Sequence, residues 1–204
     1  PKVSPYSAPA LTIAMAAAAA EEALAEAGLA RTESFPGPLY LATPPAEIEW
    51  PQRKCLWDEM NGSNLSGYQR LLAAARGREH RERAALFQFG SVAEDLAERF
   101  GTRGLPVSVS TACASGATAI QLGLEAIRRG DAKAALCIGA DSSVQIEALI
   151  RFILLSALST RNEAPEKASR PFSKDRDGFV MAEGAGALVL EDYASAKARG
   201  ANIV

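Results

Sequence analysis

Apolar and polar positions change period several times along these 204 residues. Leu11 to Ala27 follows a helical period and is rich in alanine, which lets a helix approach its neighbour closely, and Gly28 supplies the stop. Gly37 to Pro44 reads as a short strand bounded by prolines. Residues 44–67 mix Pro, Gly, Asn and Ser with Trp50 and Trp57, and they predict a loop-rich excursion of the kind that forms a lid or an interface. Residues 67–101 read as helix in two pieces. From there strand and helix signals alternate: LPVSVST strand, ASGATAIQLGLEAIRR helix, AALCIGAD strand, VQIEALIRFILLSALS helix, GALVLED strand, YASAKARG helix. That alternation predicts an α/β fold whose sheet carries helices on its faces.

Composition narrows the class. A hydrophobic content of 48% suffices for a real core, and 22 basic against 24 acidic residues predict neither a nucleic-acid footprint nor an acidic tail. Cys55, Cys113 and Cys137 are too scattered for a disulfide framework or a zinc pair, which points to a reducing, cytoplasmic setting. The alanine run near the N-terminus resembles the apolar part of a signal peptide, but Glu21, Glu22 and Glu26 continue its pattern. No uncharged apolar run of about 18 residues occurs, so no membrane span is predicted. The chain holds one histidine, His80, and a mechanism that needs two imidazoles cannot be completed within it. It opens on Pro1 and closes on ANIV, which looks like the start of another strand, so both ends suggest a segment of a longer polypeptide.

The chemistry concentrates at one corner. Val107 and Val109 alternate with Ser108 and Ser110 as a strand, Ile120, Leu124 and Ile127 recur at helical spacing, and Cys113 lies where strand hands over to helix. Free amide groups and the positive end of the helix dipole stabilise negative charge on a sulfur placed there. Ser115 and Gly116 keep the first turn slim, and the same amides can bind a developing oxyanion on a thioester carbonyl. A lone cysteine is also a good small core residue, and residue physics alone leaves Cys113 between packed thiol and nucleophile. Cys137, inside an apolar strand, fits the packed role. Arg76, Arg78, Arg81 and Arg83 crowd one short region, where a solvated charged face, diluted by Glu79 and Glu82, competes with a partner patch.

Two blocks, STACASGATAIQLGLEAIRRGDAKAALCIGAD and ALSTRNEAPEKASRPFSKDRDGFVMAEGAGALVLEDYASAKARGA, together resemble the N-terminal half of β-ketoacyl-acyl-carrier-protein synthases. The likeness is greatest to the elongating KAS II-like branch, with polyketide ketosynthases close by, and it is dense from about Gly104 to Val204. It implies a thiolase-like layered α-β-α fold, with residues 1–204 forming part of the N-terminal domain, and a decarboxylating Claisen condensation. By that resemblance Cys113 would accept an acyl group and give its own amide to the oxyanion hole, and malonyl-carrier protein would supply the two-carbon unit. Ala112, Ala148 and Phe152 would border the acyl pocket, with ordinary core packing the competing role for Phe152. Asp175, Arg176, Asp177 and Gly178 would shape a turn near the entrance and support the strand of Gly186 to Glu191. Arg76, Arg78 and Arg81 would face an acidic acyl carrier protein, and Val107 to Thr111 would pair across a homodimer axis. No metal or cofactor is implied.

The family's first strand, its two downstream histidines and the lysine near them, and its Gly-Phe-Gly-Gly loop have no counterpart here. The resemblance thus covers the acylation half of the site and leaves a partner subunit of the chain-length-factor kind, non-catalytic in a ketosynthase heterodimer, as the alternative. A thiolase-like enzyme acting on coenzyme A thioesters is a third reading, less close to the second block.

Overall fold

The computed structural model describes residues 7–29, 34–59, 64–77 and 84–204. Helix α1 (Ala8–Glu26) leads into strand β1 (Leu39–Ala42), then helices α2 (Trp50–Glu59), α3 (Gly67–Ala75) and α4 (Ser91–Phe100). Strand β2 (Val107–Val109), helix α5 (Ser115–Arg128), strand β3 (Ala134–Asp141), helix α6 (Ile146–Leu154), strand β4 (Gly184–Glu191) and helix α7 (Tyr193–Ala198) follow. The strands form one mixed sheet in the order β2-β1-β3-β4. β1 runs parallel to both β2 and β3, and β4 runs antiparallel to β3 with Cys137 opposite Leu188.

Side-chain alternation along β3 explains the layers. Ala134, Leu136, Ile138 and Ala140 point to one face, where Leu39 and Leu41 of β1 join Ala16, Ala17 and Ala20 of α1 and Val92 and Leu96 of α4 in a continuous core. Each buried Leu or Ile there contributes about 1.5–3 kcal/mol relative to exposure. Ala135 and Cys137 point to the other face, against α5. Helices on both sides of the sheet match the α/β fold with helices on its faces that the alternation predicts, in the layered α-β-α order that the resemblance implies. Among the described helices α1 has the length and apolar content to cross a bilayer, and its Ala16, Ala17 and Ala20 are at most 1% exposed beneath the sheet.

Several local expectations change. Residues 44–67 are not loop throughout, because α2 occupies Trp50–Glu59. Pro51 sits in its first turn, where a missing N–H costs nothing, and Lys54 bridges to Asp58 at 2.5 Å one turn on. The helix predicted over 144–159 is shorter, and the chain leaves it with Ser156 at φ +52°. The residues of ANIV join no strand. In α5 the buried positions are Ala119, Gly123 and Ala126, whereas Ile120 and Leu124 are each 38% exposed. The reason is distance: a Cβ added at Gly123 would stand 2.5 Å from Cys137 Sγ, so only small residues fit between helix and sheet.

Candidate active site

The corner after β2 is a tight turn that requires an uncommon backbone. Ala112 holds φ +50°, the left-handed region, at a cost of about 1–2 kcal/mol for a residue with a Cβ. Local hydrogen bonds maintain it: Ala114 N–H donates to the Thr111 carbonyl at 3.2 Å and Ser115 N–H to the Ala112 carbonyl at 3.1 Å. The Thr111 and Thr118 hydroxyls lie 2.9 Å apart, and Thr118 also donates to the Ala114 carbonyl at 3.1 Å. The chain then enters α5 at Ser115, which leaves Cys113 exposed just ahead of the helix.

Cys113 opens onto a cavity of about 580 Å³. Ala112 and Gly116 border it at the corner, Phe152 of α6 forms a wall, and the C-terminal end of β3 meets the start of β4 at its floor. The structure therefore brings Cys113, Ala112 and Phe152 to one space. Ala148 is buried one helical turn before Phe152 and does not line the cavity. The Phe152 ring meets that of Phe179 edge-on, with centroids 5.2 Å apart and planes at 80°. Arg151, beside Phe152, grips Glu47 with its two terminal guanidinium nitrogens, at 2.7 and 2.5 Å, and holds that carboxyl below the usual range.

The other two thiols differ in setting. Cys137 is 3% exposed, and burial pushes its thiol up to about 11, which disfavours the reactive thiolate. Cys55 is exposed on α2, away from the cavity. Among the described residues no cluster of three or more His, Cys, Asp and Glu side chains could hold a metal ion.

The charged turn of Asp175 to Gly178 contacts a different segment from the one expected. Asp177 accepts from the Ser159 hydroxyl at 2.7 Å and the Thr160 N–H at 3.1 Å, with Arg161 at 3.5 Å, so it ties residues 159–161 rather than β4. β4 itself begins at Gly184, two residues earlier than the sequence suggested. Arg76 follows α3, whereas Arg78, Arg81, Arg83 and His80 lie outside the described residues. Sequence reasoning missed the floor of the cavity, formed by Gly139, Asp141, Gly184 and Gly186. The signal for it was the pairing of two strand ends, which needs the antiparallel register of β3 and β4 to be known.

Residues 9–196 match the family described as beta-ketoacyl synthase, N-terminal domain. The chain belongs to this family. It is similar to 3-oxoacyl-(acyl-carrier-protein) synthase 2 of Vibrio cholerae, at 46% identity over 112 residues, covering 55% of this chain and 27% of the relative. Among solved structures, a beta-ketoacyl synthase from Burkholderia phymatum aligns with a TM-score of 0.73 at 31% identity, over 100% of this chain and 47% of that one. A type II polyketide ketosynthase, solved in complex with its acyl-carrier protein and bound to the hexaketide, aligns with a TM-score of 0.75 at 32% identity, over 94% of this chain and 46% of that one. The fold is accordingly that of the thiolase-like ketosynthases, and the chain spans about a quarter to a half of the length of these relatives.

Proposed function

We propose that this chain carries the acyl-accepting part of a β-ketoacyl synthase. The observation that carries the reading is Cys113, exposed on a strained strand-to-helix corner and facing a cavity whose wall is Phe152. In the acyl step the Cys113 sulfur attacks a thioester carbonyl. The bond from acyl carbon to the donor sulfur breaks, the new thioester forms on Cys113, and the thiol proton ends on the departing thiol. The Cys113 amide stabilises the tetrahedral oxyanion, and Ala112 and Phe152 shape the space for the acyl chain, with Ala148 packed behind Phe152 on the same helix. Decarboxylation of malonyl-carrier protein then gives the carbanion that takes the acyl group as a 3-oxoacyl thioester, in fatty-acid or polyketide-type synthesis in the cytoplasm.

Residues 1–204 are read as one part of an N-terminal synthase domain. The acyl donor is a carrier-protein thioester, with Arg76, Arg78 and Arg81 as the basic contacts. A homodimer forms through residues 107–111, a reading supported by β2 being an edge of the sheet with Val107 38% exposed. The non-catalytic chain-length-factor alternative is the weaker one, because such a partner has no use for an exposed cysteine at this corner.

The test is to incubate the chain with an acyl-carrier-protein thioester and map the adduct by mass spectrometry. Acylation on Cys113, abolished in Cys113→Ala, is the expected result. Modification confined to Cys55 or Cys137, or none, overturns it.

A further inference from the structure

The hydrogen bonds around the corner converge on one hydroxyl. Ser115 Oγ accepts from the Thr111 N–H at 2.8 Å and donates to the Ala112 carbonyl at 2.6 Å, so it holds a peptide group on each side of Thr111-Ala112. Between those two bonds lies the left-handed φ of Ala112. The Ala112 carbonyl and the Cys113 N–H belong to one planar peptide unit, and a pull on one fixes the direction of the other.

We propose that Ser115 is a positioning residue for Cys113, aligning the Cys113 N–H with the oxyanion that forms on the acyl thioester. The inference rests on the reading of Cys113 as acyl acceptor and adds to it a residue that touches no substrate. Removing the hydroxyl leaves the Ala112 carbonyl with the Ser115 N–H at 3.1 Å and takes from the Thr111 N–H its Ser115 partner. The turn persists, because its backbone bonds and the hydroxyl pair of Thr111 and Thr118 remain. The orientation of the 112–113 peptide is what loosens.

Two reactions of the same sulfur separate positioning from mere structure. Transfer from an octanoyl thioester of N-acetylcysteamine builds an oxyanion, whereas alkylation by iodoacetamide displaces iodide and builds none. Both are followed at Cys113 by mass spectrometry on the full chain, for the unsubstituted protein, Ser115→Ala and Ser115→Thr. Ser115→Ala is expected to slow acylation at least about tenfold and to leave alkylation within about twofold, because only the first reaction needs the aligned amide. Ser115→Thr keeps a hydroxyl and is expected to restore acylation. Ser115→Ala acylating at the unsubstituted rate, a parallel fall in both reactions, or failure of Ser115→Thr to restore acylation each overturns the inference. An unsubstituted chain that alkylates but never acylates at Cys113 overturns instead the reading on which it rests.

Discussion

Gly123 of α5 lies directly against Cys137 of β3: a Cβ built on the glycine would stand 2.5 Å from the sulfur, 3.2 Å from Ala135 Cβ and 3.3 Å from Leu190 Cδ1. The helix that begins next to Cys113 is thus held at a spacing set by two small residues and a thiol. Gly123→Ala is expected to destabilise the fold by about 1–3 kcal/mol, the usual penalty for overpacking, even though alanine is the better helix former. Adding Cys137→Ala removes the nearest atom and should recover part of that loss. Urea unfolding of the four members of the double-mutant cycle measures the coupling, and purely additive effects would refute the contact.

The same pair shows what could be read from the sequence and what could not. Strand and helix order after residue 104 was legible, because periods of 2 and 3.6 alternate there with clear stops. The inward face of α5 was not. Ile120, Leu124 and Ile127 form the obvious apolar stripe, yet the sheet approaches on the side of Ala119, Gly123 and Ala126. Periodicity reports hydrophobicity, whereas close packing selects for small volume. Cys113 could be placed at the corner, but the strain at Ala112 and the bracing by Ser115 arise from hydrogen bonds that spacing does not encode. Trp50–Glu59 was hidden by its composition, since Pro51 in a first turn reads like a loop residue.

Phe152 lines the Cys113 cavity, and its ring meets that of Phe179, which is not among the lining residues, at 5.2 Å. Phe152→Ala should open the cavity toward Phe179 and favour longer acyl groups. In a competition between octanoyl and hexadecanoyl thioesters, the ratio of adducts on Cys113 is expected to move roughly tenfold toward the longer chain, the scale of discrimination that a few methylenes provide in an apolar pocket. An unchanged ratio would show that Phe152 does not limit the chain.

The thiols should react in a fixed order. Cys113 is exposed and Cys137 is buried with its thiol pushed up to about 11, so iodoacetamide near pH 8 should modify Cys113 and spare Cys137 until the chain unfolds. The sign for stability follows from the raised value. Burial keeps the neutral thiol favoured in the fold, so the contribution of Cys137 is complete below the ordinary thiol range near 8.5 and is lost as pH rises toward 11. Cys137→Ala should therefore lessen the decline in thermal midpoint between pH 8.5 and 11, and an identical decline in both proteins would refute this.

Asp177 couples the charged turn to the cavity wall. Its carboxyl is held below the usual range, first by the Ser159 hydroxyl and then by the Thr160 N–H, and it anchors the segment in which Leu158 bridges to Phe179. Ser159 N–H donates to the Phe179 carbonyl and Phe179 N–H to the Ala157 carbonyl, both at 3.0 Å, so this bridge fixes the ring that packs on Phe152. A depressed carboxyl stabilises the fold above the ordinary Asp range near 4, and that contribution disappears as pH falls through the folded value. Acidification below about pH 4 should then release residues 157–160 from 177–179 before the core of β1 and β3 opens. Amide exchange at Ser159 and Phe179, corrected for intrinsic rates and compared with Leu136, tests this. The unsubstituted protein should lose protection at those two amides on acidification, while Asp177→Asn should already lack it at pH 7 and change little with pH. Equal pH dependence in the two proteins would mean that the carboxylate is not what holds Phe179 against the cavity wall.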